Sequence, residues 1–310
     1  MRDAPLRIGH LSTFYHTSFI LEGVDWLQKE GLDVQWRLFA SGPDIVKAFE
    51  GGMIDLGYLG LPPAVVGIAR GVPIKCVAGG HVEGTVMIAQ AEYLGLEELG
   101  SIDEVLKQFD GKAIGTPPKG SIHDVIARDI VRESGYDIEV KNYQWADFVL
   151  EAITDRELPA AIGTPPLAVA SRRFANTKIV VPPSKLWPYN PSYGILVSAS
   201  LMRDDDTVIK FLQQHERACA FVREDPHAAA RIVSRLVQTV DPEYVLETYK
   251  VSPKYCAALP SQYVQSTMVF VKVLKDMSYI SRLLPEKEIF EHRFIRKAHP
   301  GRPHYDDGIA

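Results

Sequence analysis

Chemistry in this chain concentrates in short polar loops that follow apolar runs. Ser12, Thr13, Phe14, Tyr15 and His16 come directly after LRIGHL. Hydroxyls there can fix a polar head while an aromatic ring covers an apolar body. Phe14 or Tyr15 buried behind a helix cap is the competing reading. Gly120 and Ser121 open the amphipathic stretch IHDVIARDIVRESG. A helix start offers unpaired N–H groups and the positive end of a dipole, so it can hold an anion without a formal charge. Ser121 can equally be an N-cap that closes only its own helix. Ser41 and Gly42 precede one helical stretch; Gly60, Leu61 and Pro62 precede the next. Glycine there lets a ligand approach the backbone, and ordinary turn chemistry explains these residues as well. His81 in GGHVEG can donate, accept or charge, and Glu83 beside it could serve an amine. His123 could complement an anion, as could Lys119, whose commoner place is the surface. Trp145 and Tyr193 would suit a ring-bearing ligand, with lobe packing as the alternative.

Catalytic machinery is not legible. HExxH, GxSxG, a P-loop and a dinucleotide fingerprint are all missing, and His81 and Glu83 stand two residues apart, which is no helical metal-ligand spacing. Cys76, Cys219 and Cys256 form no CxxC pair, so no metal site or cofactor is expected. With 24% charged residues and a net charge of −5, no basic stripe marks a nucleic-acid partner.

The elements that position these loops alternate. LRIGHL, VQWRLF, IDLGYLG, IKCVAGG and TVMIAQ read as strands. Between them lie helical stretches, the first over Ser18 to Lys29 and ended by Gly31. From about Glu92 to Asn190 the arrangement repeats, with KAIGTP, IEVKNY, PAAIGTP and KIVVPP as strands. YGILVSASLM then returns to the first unit. Helices fill the chain from Asp204, and HPGRPHYDDGIA reads as a loose tail. At 310 residues, 46% hydrophobic, the chain fits two lobes. The expected fold is α/β, each lobe a doubly wound, mostly parallel sheet. Lobe 1 takes residues 1–90 and 195–310, lobe 2 takes 91–194, and crossings near Gln90 and Gly194 make a hinge. Ligands of such sheets sit beyond the carboxyl ends of the strands, which is why the loops above are the candidates.

The stretches LRIGHLSTFYHTSF, FASGPDIVKAFEGGMIDLGYLGLPPAVVGIARGVPIKCVAGG and GKAIGTPPKGSIHDVIARDIV resemble the substrate-binding proteins of nitrate/sulfonate/taurine-type ABC transporters. The resemblance runs from about Leu6 to about Val240. It implies the type 2 periplasmic binding protein fold, a small-molecule ligand, a transporter permease as partner and a monomer. The family's G-x-x-D-x-G element stands at Gly52–Gly57. Its T-P-x-G-S element stands at Thr116–Ser121, one residue longer here, and implies that Gly120 and Ser121 hold an anionic group. Ala161–Pro166 replaces the Trp-Asp-Pro of many sulfonate-type relatives. The ligand expected is small and anionic (sulfonate, nitrate-like or carboxylate) or heteroaromatic. The alternative is a cytoplasmic enzyme of the same fold, related to thiamine-pyrimidine precursor synthesis and dependent on His16 or His81. The cysteine-rich run of the yeast-type synthase is absent. The family is periplasmic or cell-surface. No signal peptide precedes LRIGHL, so either an export signal was removed or the protein stays in the cytoplasm.

Overall fold

The computed structural model describes residues 4–310. Ten strands form two five-stranded sheets. They are β1 (Leu6–Leu11), β2 (Val34–Phe39), β3 (Leu56–Leu59), β4 (Ile74–Val82), β5 (Val86–Gln90), β6 (Ala113–Thr116), β7 (Glu139–Asn142), β8 (Ala160–Gly163), β9 (Thr177–Val181) and β10 (Pro191–Ser198). The first sheet runs β2-β1-β3-β10-β4 and the second β7-β6-β8-β5-β9. In the first, β1 is parallel to β2 and β3, and β10 is antiparallel to β3 and β4. In the second, β6 is parallel to β7 and β8, and β5 is antiparallel to β8 and β9. The two sheets therefore share one plan. Each has four strands running one way and one reversed strand that arrives from the other sheet.

β5 lies in the second sheet, although its place in the chain groups it with the first four strands. All five of its residues are buried. Val86 and Ile88 meet Val149, Ile153 and Leu167, while Met87 and Ala89 join the larger core. A strand apolar on both faces has no periodicity to tell which sheet will hold it. The first crossing is therefore residues 83–85, and the second is residues 182–190. Gly84 sits where the crossings touch, and a Cβ there would lie 2.0 Å from Ser192 Oγ.

The helix expected over Ser18 to Lys29 is two short ones, Ser18–Glu22 and Trp26–Lys29. Gly23 lies against Ile232 of the helix Pro226–Val237, where a Cβ would come within 2.6 Å of Ile232 Cγ2. The chain bends there and resumes after Asp25. The C-terminal residues are docked rather than loose. Tyr305 is 1% exposed and donates its hydroxyl to Ala258 O, and Arg302 forks onto Asp307 at 2.9 and 3.1 Å. Its apolar ring supplies the burial that a tail rich in Pro, Gly and Asp gave no sign of. No helix among the described residues is long and apolar enough to cross a membrane.

Candidate functional site

A cavity of about 400 Å³ lies between the carboxyl ends of the two sheets' parallel strands. Five helices present their first turns to it. They are Gly42–Glu50 and Leu61–Ala69 beside the first sheet, and Ile122–Ser134, Ala146–Thr154 and Pro165–Phe174 beside the second. Each brings the positive end of its dipole toward the same space. Pro43, Pro62, Pro63, Pro165 and Pro166 occupy first-turn positions and carry no N–H. That leaves the helices Ile122–Ser134 and Ala146–Thr154, which start without proline, as the richest backbone donors.

The side chains sharpen this. Ser121 Oγ accepts the N–H of Asp124 at 3.2 Å, which leaves its O–H free to donate. Capping and binding are thus compatible at one hydroxyl. Thr164 caps Leu167 in the same way at 3.4 Å. Ser41 differs, because its O–H is spent on Asp44 Oδ2 at 2.6 Å. Tyr15 shares a hydrogen bond with Ser192 Oγ at 2.9 Å. His16 is 2% exposed, and its Nδ1 has no hydrogen-bond partner among the described residues. Burial holds its pKa well below the ordinary value, and the nearby His81, His10 and His123 add to this. His123 Nδ1 lies 3.0 Å from Thr85 Oγ1, and burial lowers its pKa from 6.5 to about 4. Both imidazoles are neutral at pH 7, each able to donate or accept.

No lysine or arginine lines the cavity among the described residues. Asp147, exposed at the rim, is its one formal charge there, in the first turn of its own helix. Phe14, Trp145, Leu150, Leu167, Val240 and Tyr244 supply apolar wall.

Ser12, Thr13, Phe14, Tyr15, His16, Ser41, Gly42, Gly60, Ser121 and Trp145 all line the cavity. Five other candidates stand off it. Leu61 and Pro62 are buried in the core beneath, and Pro63 reaches the cavity in their place. His81 is fully buried behind Tyr15, stacked on Tyr193, with Nε2 2.8 Å from Ser252 O. It cannot reach a solute in the cavity. Tyr193 is also fully buried, its hydroxyl at Thr17 N and Oγ1. Gly120, at φ +82°, turns its N–H to Asp124 Oδ2 at 2.8 Å and shapes the loop from outside. Glu83 is taken by Lys254 Nζ at 3.1 Å and by Tyr189 N at 3.0 Å, so it is not open to an amine. Ser192, Thr239, Val240 and Tyr244 line the cavity without following a parallel strand, so the strand-end rule passes over them.

The cavity is closed on two sides by contacts between the sheets' helices. Tyr244 donates to Pro166 O at 3.0 Å, and Arg173 pairs with Asp241 at 2.9 Å and Glu247 at 3.4 Å. On the other side Tyr279 donates to Asp124 Oδ2 at 2.9 Å.

The NMT1-like family matches residues 2–237. The chain belongs to that family. A Brucella abortus protein named only as a binding protein is 27% identical over 165 residues, which are 51% of this chain and 47% of that protein. The chain thus spans about half the length of the curated relatives of this kind. A Bacillus subtilis protein named for aliphatic sulfonate binding is 23% identical over 276 residues, 88% of this chain and 81% of that one. The alkanesulfonate-binding protein SsuA from Xanthomonas axonopodis pv. citri, solved with MOPS, superposes at TM-score 0.78. It is 16% identical and covers 94% of this chain and 99% of its own. The family member shares the two-sheet α/β fold of that binding protein, as the residues quoted from its first half imply.

Proposed function

We propose that this chain is a solute-binding protein of an ABC-type import system, closing on a compact solute with an apolar body and a hydrogen-bond-accepting head, such as a sulfonate or a carboxylate. The observation that carries the reading is the convergence of five helix starts from both sheets on one cavity that, among the described residues, holds no cationic side chain. Helix dipoles, the free N–H groups near Ile122 and Ala146 and the Ser121 hydroxyl would meet the head. Phe14, Trp145 and Leu167 would cover the body. The names of the Bacillus and Xanthomonas relatives favour the sulfonate member of this class.

A solute that touches both sheets favours the closed form only by its extra affinity for that form. Residues 1–82 with 191–310 and residues 86–181 are proposed as the two moving lobes, with residues 83–85 and 182–190 as the hinge, so that β5 travels with the second lobe. The closed form is the one a permease would recognise.

The test is thermal melting against alkanesulfonates, carboxylates, nitrate and neutral heteroaromatics, for the parent chain, Ser121→Ala and His16→Phe. A solute at about a hundred times its dissociation constant stabilises by about 2.7 kcal/mol. One anionic class should raise the melting temperature of the parent, bind at least about tenfold more weakly to Ser121→Ala, and be recovered unaltered. His16→Phe should lose binding without losing stability, because it removes an unpartnered buried nitrogen. A shift only with neutral rings would overturn the anionic head, and a chemically altered solute would overturn the binding role.

A further inference from the structure

A second constellation lies away from the cavity, where the C-terminal residues dock. Glu216, in the helix Asp205–Glu224, and His299 and His304 each offer one ligand atom, and these atoms lie within 4.8 Å of one another. Cys256 borders them. Its Sγ is 3.7 Å from His299 Nε2 and accepts the backbone N–H of Ala258 at 3.4 Å and of His304 at 3.3 Å. Two imidazoles, a carboxylate and a thiol form a borderline-soft set of the kind that suits zinc in four-coordinate geometry.

The surroundings are built to support such a set. His304 Nδ1 lies 2.8 Å from Asp307 Oδ2, and Asp307 is held in turn by the Arg302 fork. An imidazole that donates Nδ1–H to a carboxylate presents its Nε2 lone pair, which is how metal-bound histidines are oriented. Glu216 is fixed by Arg223 at 3.0 Å and by the N–H of Ala257 at 2.6 Å. The Cys256 thiol is fully buried, yet two N–H groups aim at its sulfur, a pattern that favours a thiolate. With zinc, one thiolate and one carboxylate, the charge at the centre balances. Ligand atoms of a tetrahedral zinc site stand about 3.3 Å apart, so the set closes by side-chain rotation, with His299 Nε2 giving up Arg302 O at 3.2 Å.

We propose that Glu216, Cys256, His299 and His304 form a structural zinc site that fastens the C-terminal residues onto the first sheet's helices. Four protein ligands leave no open position, so the site holds structure and does no chemistry. It does not depend on what the cavity binds.

The test is zinc chloride titrated into the full chain after chelator treatment, with competition by a chromogenic chelator. The parent should bind one zinc per chain, and the cobalt form should show a sulfur-to-metal charge-transfer band. His304→Gln should lose stoichiometric binding, with its melting in chelator compared with the parent's as the control for folding. Asp307→Asn keeps all four ligands and should bind about 10–100-fold more weakly. Should His304→Gln not fold, Asp307→Asn decides. A parent that takes up no saturable zinc, variants that bind as the parent does, or a cobalt form without the sulfur band would each overturn the site.

Discussion

The carboxylate of Glu83 accepts the backbone N–H of Tyr189 at 3.0 Å, and the Glu83 N–H reaches Asn190 O at 2.8 Å. One residue thereby ties together the two stretches that pass between the sheets. Both Glu83 (φ 63°) and Tyr189 (φ 54°) have left-handed backbone, where side-chain-bearing residues pay a steric penalty. Lys254 Nζ completes the arrangement 3.1 Å from Glu83 Oε1. The strain is held in place by a buried carboxylate with two donors.

Glu83→Gly separates these effects. It relieves the left-handed strain at residue 83 but leaves the Tyr189 N–H without its acceptor and takes from Lys254 its buried partner, with Asp306 remaining at 3.3 Å. Hydrogen bonds to a charged group are worth about 1.5–3 kcal/mol each, and the strain relief returns about 1 kcal/mol. The expected result is a net loss of about 2–5 kcal/mol in urea unfolding, with solute affinity weakened because the crossings no longer move as one. Equal stability to the parent would show that the pair does not order the crossings.

Acid sensitivity follows from the buried histidines. Desolvation lowers the pKa of His10, His81, His123 and His215 from 6.5 to about 4 each. Between about 4 and 6.5 the unfolded chain holds more protons than the native one, so stability rises with pH across that window. It is complete about a unit above pH 6.5 and lost as pH falls toward 4. Each histidine contributes at most about 1.4 kcal/mol per pH unit. Glu22, 3.6 Å from His10, is raised by burial and titrates with the opposite sign. Urea midpoints at pH 7.5, 6.5 and 5.5 should therefore fall modestly between the first two and much further at the third. A flat profile down to pH 5 would mean that these rings take up protons without unfolding the chain.

The loops were legible in the sequence because a parallel sheet delivers every strand-to-helix loop to the same end. Ser12 to His16, Ser41, Gly42 and Gly60 line the cavity where that rule points, while Ser121 stands out as a helix start and Trp145 as an aromatic ring. Tyr244 and Val240 carry no such signal, since they come from a helix and the loop before it, both after the last strand, and reach the cavity only through tertiary packing. His81 looked like a loop residue because β4 runs on to Val82, past the apolar run that marked it. The zinc ligands were invisible for a plainer reason. Glu216, Cys256 and the pair His299 and His304 are separated by some forty residues each, and only the fold brings them together, through the Ala257 N–H on Glu216 and the docked Tyr305 beside the histidines. Without that fold, three scattered cysteines show no ligand spacing.

Closure itself can be weakened without touching the cavity. Tyr279, which follows the helix Ser261–Asp276, donates to Asp124 Oδ2 at 2.9 Å, and that oxygen also accepts the Gly120 N–H that shapes the Ser121 loop. The Asp124 side chain is fully buried and keeps Arg128 and Asn142 on its other oxygen, so Tyr279→Phe leaves it with partners. The variant removes one hydrogen bond made only when the two sheets approach. A bond to a charged acceptor is worth about 1.5–3 kcal/mol, and a form that lacks it binds its solute about 10–100-fold more weakly. The loss should fall on the dissociation rate, because the bond forms after the solute has entered. Stopped-flow release measured on Tyr279→Phe and on the parent checks this. A slower association with unchanged release would place the bond in the open form and remove it from the closing mechanism.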